Sequence, residues 1–166
     1  MIDSTVWRAA MGQFATGVTV ITTVDEAGRP LGMTANAFTS LSLVPPMVLI
    51  CVDNNSSTLP QLAASGKYCV NILADGQEAV SRQFAQRGAS DKFAGIPYFS
   101  GLLGLPVIEG CLASVECELS EQLAGGDHMI LLGHGKHIYE TEAASEPLVF
   151  YRGKYRKLAE LEVATS

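Results

Sequence analysis

The chain's three histidines, His128, His134 and His137, fall within one stretch, GDHMILLGHGKH. Histidine is the commonest metal ligand and the side chain most ready to move a proton near neutral pH. The stretch reads as a β-strand, and that spacing works against a shared metal. His128 and His134 are six residues apart, roughly 20 Å along a strand at about 3.3 Å per residue. Two ligands of one zinc each lie about 2 Å from it. His134 and His137 point to opposite faces, although Gly133 and Gly135 leave room for a bulge. No metal site is therefore expected. His128 differs from the other two because it directly follows a Gly-Gly-Asp turn, a position that sets a side chain at the rim of a pocket.

Two polar stretches stand out against an apolar background. In GMTANAFTSLS, residues 32–42, Thr34, Asn36, Thr39, Ser40 and Ser42 are uncharged hydrogen-bonders near a strand end. They suit the edge of a flat, polar heteroaromatic ring, or simply form the outward face of a strand. In VDNNSSTLP, residues 52–60, hydroxyls precede a helix start. That arrangement suits a phosphate, or plain helix capping. A third stretch, RGKYRK, gathers four of the eleven Lys and Arg within residues 152–157. It is either a contact for a phosphorylated ligand or charge protection of an edge strand.

The bulk properties narrow the function classes. A net charge of -6 and a pI of about 5.0 argue against nucleic acid or an anionic membrane as partner. No segment has the length and apolarity of a membrane span, and the N-terminus lacks the apolar run of a signal peptide. Cys51, Cys69, Cys111 and Cys117 show no CxxC spacing and read as reduced core thiols of a cytoplasmic protein. Neither GxGxxG after a strand nor GxxxxGK[ST] is present, and there is no GxSxG elbow.

The elements that must position these residues follow from periodicity. Trp7, Ala10, Met11 and Phe14 have helical spacing, with Ser4 or Thr5 as cap. Strands are expected over 17–24, 31–38, 47–52, 67–73, 112–124, 128–140 and 147–155. LSLVPP reads as a loop, because prolines cannot donate to a ladder. A short helix capped by Ser57 or Thr58 carries Pro60 in its first turn and Gly66 past its end. Another helix spans 76–88, and 90–110 reads as mostly irregular. Strands arriving as antiparallel hairpins predict a mainly β, barrel-like fold with small helices, in a single domain over 1–166.

Taken in order, MGQFATGVTVITT, GMTANAFTSLSLVPPMVLICV, ASGKYCVNIL, SRQFA, DKFAG, PVIEGCLASVECEL, GGDHMILLG and PLVFYRGKY resemble the short-chain flavin reductase family. These are the reductase components of two-component flavin-dependent monooxygenases. The resemblance runs from about Phe14 to Tyr155. It implies a split β-barrel working as a homodimer. It also implies reduction of FMN or FAD by NADH or NADPH, with reduced flavin passed to a partner monooxygenase. The implied ring contacts are Pro30, Leu31, Gly32, Met33, Thr34, Asn36 and Ala37. The implied ribityl and phosphate contacts are Cys51, Val52, Asp53, Asn54, Asn55, Ser56, Ser57 and Thr58, with Ala85 as a further contact. On the nicotinamide side the resemblance points to His128, Phe150, Tyr151, Arg152 and Gly153, with His128 in the catalytic position. The stretch HGKHIY departs from the family pattern, so His134 and His137 carry no implied role. Two other readings use a related barrel: a flavin-binding electron carrier without turnover, and an oxidase of the pyridoxamine-phosphate type, for which RGKYRK would be the phosphate cluster.

Overall fold

A computed structural model describes residues 2–89, 91–141 and 146–159. Helix α1 (Ser4–Met11) starts at Asp3, whose Oδ1 accepts from the amides of Thr5 at 2.8 Å and Val6 at 3.2 Å. The expected cap at Ser4 or Thr5 is thus corrected to Asp3. A carboxylate satisfies two orphan amides and complements the positive helix end. No side chain of α1 is buried, and Trp7 and Met11, with Phe14 just beyond, remain exposed.

The strands are β1 (Thr16–Gly17), β2 (Thr19–Val24), β3 (Pro30–Ala35), β4 (Phe38–Leu43), β5 (Pro46–Asp53), β6 (Lys67–Ile72), β7 (Tyr98–Ser100), β8 (Pro106–Ile108), β9 (Ala113–Gly125), β10 (His128–Glu140), β11 (Val149–Tyr151) and β12 (Lys154–Arg156). Helices α2 (Leu59–Ser65) and α3 (Glu78–Ala85) are short. Seven strands form one sheet in the order β3-β2-β6-β9-β10-β5-β4, antiparallel throughout. The expected mainly β class therefore holds. β3 and β4 are the sheet's two edges and are not paired with each other, so the sheet stays open between them.

Alternation along β2 explains where the helices sit. Ile21 joins a core with Ile50, Leu62, Tyr68, Val70 and Leu131. Its neighbour Val20 points the other way, into a second core with Leu73, Phe84, Phe93 and Leu148. Phe84 belongs to α3, so α3 is pinned against the outer face of β2 and β3 and forms one wall of a cleft. Gly32 permits that approach, since a methyl group there would lie 2.8 Å from the Phe84 ring.

Four further expectations are revised. LSLVPP is not all loop: β4 runs to Leu43, and Pro46 opens β5 as a first strand residue, where no ladder donor is needed. The helix expected over 76–88 is a 3-10 turn at Asp75–Gln77 followed by α3, which ends at Ala85. Within the stretch read as irregular, β7 and β8 pair as a small hairpin. The strand expected over 147–155 is two, β11 and β12, joined at Arg152 (φ 50°) and Gly153 (φ 72°).

A polar knot fastens that small hairpin to the main sheet. Glu116 on β9 is fully buried. Its carboxylate accepts from the amides of Leu103 at 3.1 Å and Leu105 at 3.4 Å, and from the Tyr139 hydroxyl at 3.1 Å. Nearby, Asn71 is buried with five partners: Nδ2 donates to the Val20 carbonyl and the Thr22 hydroxyl, while Oδ1 accepts from the Ile108 amide, the Ser114 hydroxyl and, weakly, the Cys69 thiol.

Candidate functional site

A cleft of about 430 Å³ opens where the end of β3, the loop before α2, the end of α3 and the start of β10 meet. Its size is within the range of small-molecule sites. Of the residues expected from sequence, it gathers Met33, Thr34, Asn36, Ala37, Cys51, Asp53, Asn55, Ser56, Ser57, Ala85 and His128. The remaining expected contacts lie outside it. Pro30 and Leu31 pair with Val24 and Thr23 at the far end of β3, and Gly32 lies under Phe84. Val52 is in the core. Asn54 is tied to the β9–β10 turn, its amide bonding the Asp127 carbonyl at 3.0 Å and its side chain the Gly126 carbonyl at 3.3 Å. Thr58 is buried.

The four β11–β12 residues divide. Phe150 lines a smaller hollow of about 190 Å³ that shares Thr34, Ala35, Asn36 and Ala85 with the cleft. Tyr151, Arg152 and Gly153 are not brought to the cleft. The Arg152 amide bonds the Gly12 carbonyl at 3.0 Å, and its Nε bonds Gln13 Oε1 at 2.8 Å. The Tyr151 hydroxyl reaches the same Gln13 oxygen at 3.5 Å, and Gly153 borders a hollow with Arg8 and Gly12. Arg152 of RGKYRK is thus engaged locally, as is Lys157, which pairs with Asp75 at 2.9 Å.

Local chemistry shapes the loop after β5. Asp53 Oδ1 accepts from the Asn55 amide at 2.8 Å and from its Nδ2 at 3.1 Å, which turns the chain. The Asn55 amide first, then its side chain, the Arg87 guanidinium and His128, hold the Asp53 carboxyl below its ordinary range. Arg87 Nη2 lies 3.1 Å from Asp53 Oδ2. Thr58 stands at the α2 cap position but makes no capping bond with its side chain. Among the described residues, neither the amide nor the hydroxyl of Ser57 has an intramolecular partner. The amides of Asn36 and Ala37, between β3 and β4, are similarly free.

In the polar stretch 32–42, several side chains are already engaged. The Thr34 hydroxyl donates to the Ser81 carbonyl at 2.6 Å, and Asn36 Nδ2 to the Thr16 hydroxyl at 3.3 Å. Thr39, Ser40 and Ser42 lie on the edge strand β4 outside the cleft, where the plain reading as an outward polar face holds. What the stretch offers the cleft is backbone, at Asn36 and Ala37.

His128 sits at the rim, opposite Asp53 in the β5–β10 ladder. Its Nδ1 lies 2.7 Å from Asp127 Oδ1. A carboxylate only accepts, so Nδ1 carries the proton and Nε2 is left available. The other histidines lie down the strand. His134 pairs with Met47 and Glu118, and His137 packs edge-on against Tyr139 at 4.5 Å, past a bulge at Lys136. No group of three or more His, Cys, Asp or Glu able to hold a metal occurs among the described residues.

Sequence reasoning missed Ala35, Phe84, Gln86, Arg87, Gly88 and Lys92, which complete the cleft. The available signal was AQRGASDKF, two cations close together in an acidic chain. Lys92 Nζ donates to the Phe84 carbonyl at 3.0 Å and to the Gly32 carbonyl at 3.3 Å. Burial pushes its ammonium below the ordinary lysine range. Burial likewise raises the Cys51 thiol, leaving a neutral apolar wall there.

This donor set fits a flavin. Free amides at Asn36 and Ala37 suit a heteroaromatic edge, and Met33, Cys51 and Phe84 suit its flat face. Ser56, Ser57 and Arg87 suit a phosphate. Residues 11–159 match the family model described as the Flavin reductase like domain. The chain belongs to this family. It is 43% identical over 155 residues to the reductase subunit HsaB of a flavin-dependent monooxygenase from Mycobacterium tuberculosis, covering 93% of this chain and 82% of that protein. Nitrilotriacetate monooxygenase component B from Mycobacterium thermoresistibile superposes with a TM-score of 0.91 at 43% identity, over 95% of this chain and 87% of that one. An NADH:FAD oxidoreductase from Streptomyces globisporus, solved in complex with NAD and FAD fragments, superposes with a TM-score of 0.89 at 38% identity, over 96% of each chain. As a member of the family, the chain is an oxidoreductase that uses FMN or FAD with NAD(P)H.

Proposed function

We propose that this chain is an NAD(P)H:flavin oxidoreductase that reduces FMN or FAD and supplies reduced flavin to a partner monooxygenase. The observation that carries this reading is the cleft itself. Free backbone donors, an apolar floor, unpartnered hydroxyl and amide groups at Ser57, and His128 at the rim converge in one cavity. RGKYRK, the polar cluster that a pyridoxamine-phosphate oxidase would need, does not line it, and its Arg152 and Lys157 are engaged elsewhere.

Bound flavin and nicotinamide supply the hydride chemistry themselves, so the protein's work is binding, orientation and exclusion of water. In the proposed arrangement, the Asn36 and Ala37 amides fix the ring edge, and Met33, Cys51 and Phe84 shield its face. Ser56, Ser57 and Arg87 take the phosphate. His128, held by Asp127, presents Nε2 toward the nicotinamide on the open side. Phe150 borders the adjoining hollow that shares the cleft wall.

The reading extends to assembly. The exposed apolar residues of α1 and of the β4 end (Leu41, Leu43, Val44) support a homodimer. Four free cysteines support a reducing, cytoplasmic setting. Among the described residues no helix is long and apolar enough to cross a membrane. Single-domain organisation over 1–166 is part of the same proposal.

The test is direct. Purified protein is mixed with NADH or NADPH and excess FMN or FAD, and nicotinamide absorbance is followed. Turnover of many equivalents of free flavin supports the reductase. A yellow protein with tightly held flavin and a single turnover replaces it with the electron-carrier reading. Light scattering at micromolar concentration tests the dimer.

A further inference from the structure

Two permanent cations line the cleft, and they are held differently. Arg87 is paired with Asp53, whereas Lys92 has no carboxylate partner among the described residues. Lys92 is nevertheless fixed. Its next neighbour Phe93 is buried and packs edge-on against Phe84 at 4.8 Å, and the Phe93 amide bonds Asp91 Oδ1 at 2.9 Å. The ammonium bridges the Gly32 carbonyl of β3 and the Phe84 carbonyl at the end of α3. An ammonium has three N–H groups, and two are engaged, so one remains for whatever occupies the cleft. Burial lowers its pKa, which means the charge stands there without enough solvation. An anion in the cleft would offset that cost.

The reaction generates such an anion. When hydride transfers, the C4–H bond of the dihydronicotinamide breaks with both electrons and an N–H bond forms at ring N5. The nicotinamide is left as a cation, and the neutral ring gains one negative charge. Lys92 bonds the Gly32 carbonyl of β3, next in sequence to Met33, and lines the same cleft as Met33 and Thr34, where the proposed arrangement puts the ring. Arg87 stands with β5 and the phosphate-binding loop. A fixed charge in a partly desolvated site is effective where charge develops. We propose that Lys92 stabilises the negative charge the flavin ring acquires on reduction, and so sets how tightly the cleft holds reduced relative to oxidised flavin. This rests on the flavin-reductase reading above.

The experiment measures dissociation constants of FMN and FAD, oxidised in air and dithionite-reduced under argon, for wild type, Lys92→Met, Lys92→Gln and Lys92→Arg. Lys92→Met and Lys92→Gln are expected to lose about tenfold in affinity for reduced flavin beyond any loss for oxidised flavin. That equals a lowering of the bound flavin's two-electron potential by about 30 mV. Lys92→Arg keeps the charge and is expected to stay within about threefold of wild type. Equal loss in both redox states would overturn the proposal and leave Lys92 a wall or phosphate residue. Lys92→Gln retains a donor for the two carbonyls, so it gives the answer even if Lys92→Met does not fold. Wild type binding neither flavin in either state would instead overturn the flavin reading itself.

Discussion

The cleft and the Glu116 knot are both polar, and they treat their polar groups in opposite ways. In the knot every strong group meets another inside the protein: Glu116 collects two amides and a phenol, and Asn71 has five partners. In the cleft, donors at Asn36, Ala37 and Ser57 are left without partners among the described residues, and Lys92 has no counter-ion among them. Buried polar groups that satisfy one another make a fastener, and leaving them unmatched is costly. Groups left free at a solvent-filled rim cost little until a ligand arrives. The comparison teaches that free donors, rather than polarity as such, distinguish a binding site from structural scaffolding.

The largest expected effect breaks the knot. Glu116→Ala leaves the Leu103 and Leu105 amides and the Tyr139 hydroxyl short of a partner and opens a void. The expected cost is about 3 kcal/mol, a fall in Tm of roughly 6–12 °C. Flavin affinity of the folded protein should stay at the wild-type value. Calorimetry together with a flavin titration checks both, and a wild-type melt would show that the knot fastens nothing.

Next comes alkaline pH, which also acts on the interior and spares the cleft. Burial pushes the Cys111 and Cys117 thiols up to about 12 from an ordinary 9.0. Above pH 9 the unfolded chain loses these protons while the folded chain keeps them. Their contribution is therefore fully present below pH 9 and is lost between pH 9 and 12, with a slope of about 1.4 kcal/mol per pH unit for each thiol. Urea melts at pH 8 and pH 10 should show this loss, and the Cys111→Ala/Cys117→Ala double variant should show a shallower one.

Substitutions in the cleft should do the reverse, altering ligands without altering stability. His128→Ala is expected to raise the nicotinamide KM about tenfold while leaving the flavin dissociation constant unchanged. Equal loss of both in steady-state kinetics would remove His128 from the nicotinamide side. The smallest effect belongs to Ser57→Ala, about a threefold weaker flavin affinity at unchanged Tm. Should Ser57→Ala lower Tm instead, its hydroxyl would belong with the scaffold.

Much of this contrast was legible in the sequence, for reasons tied to particular residues. Apolar and β-branched runs found β2, β5, β6, β9 and β10, and the Gly-Gly-Asp turn placed His128 at the cleft. The edge strand β4 was hidden by Pro45 and Pro46, which end one strand and start the next without interrupting a ladder. The β11–β12 hairpin was hidden because Arg152 takes a positive φ that its side chain does not advertise. Phe84, Arg87 and Lys92 reach the cleft only because Phe84 anchors α3 in a tertiary core, and local pattern carries no such information. The type of the loop 52–60 was readable, but which of its hydroxyls would be free depended on the Asp53–Asn55 turn.

The pair of Arg87 with Asp53 carries a consequence for release. The Arg87 side chain is 86% exposed, and its guanidinium already has an internal anion at 3.1 Å. In the proposed site an arriving phosphate displaces Asp53, and a departing one hands the guanidinium back. Loading and unloading are then a swap of partners for Arg87, while the Asp53 carboxylate stays held by the Asn55 amide and side chain. Such a mouth behaves as a balanced valve. Its traffic should quicken with ionic strength, because screening weakens whichever partner currently holds the arginine.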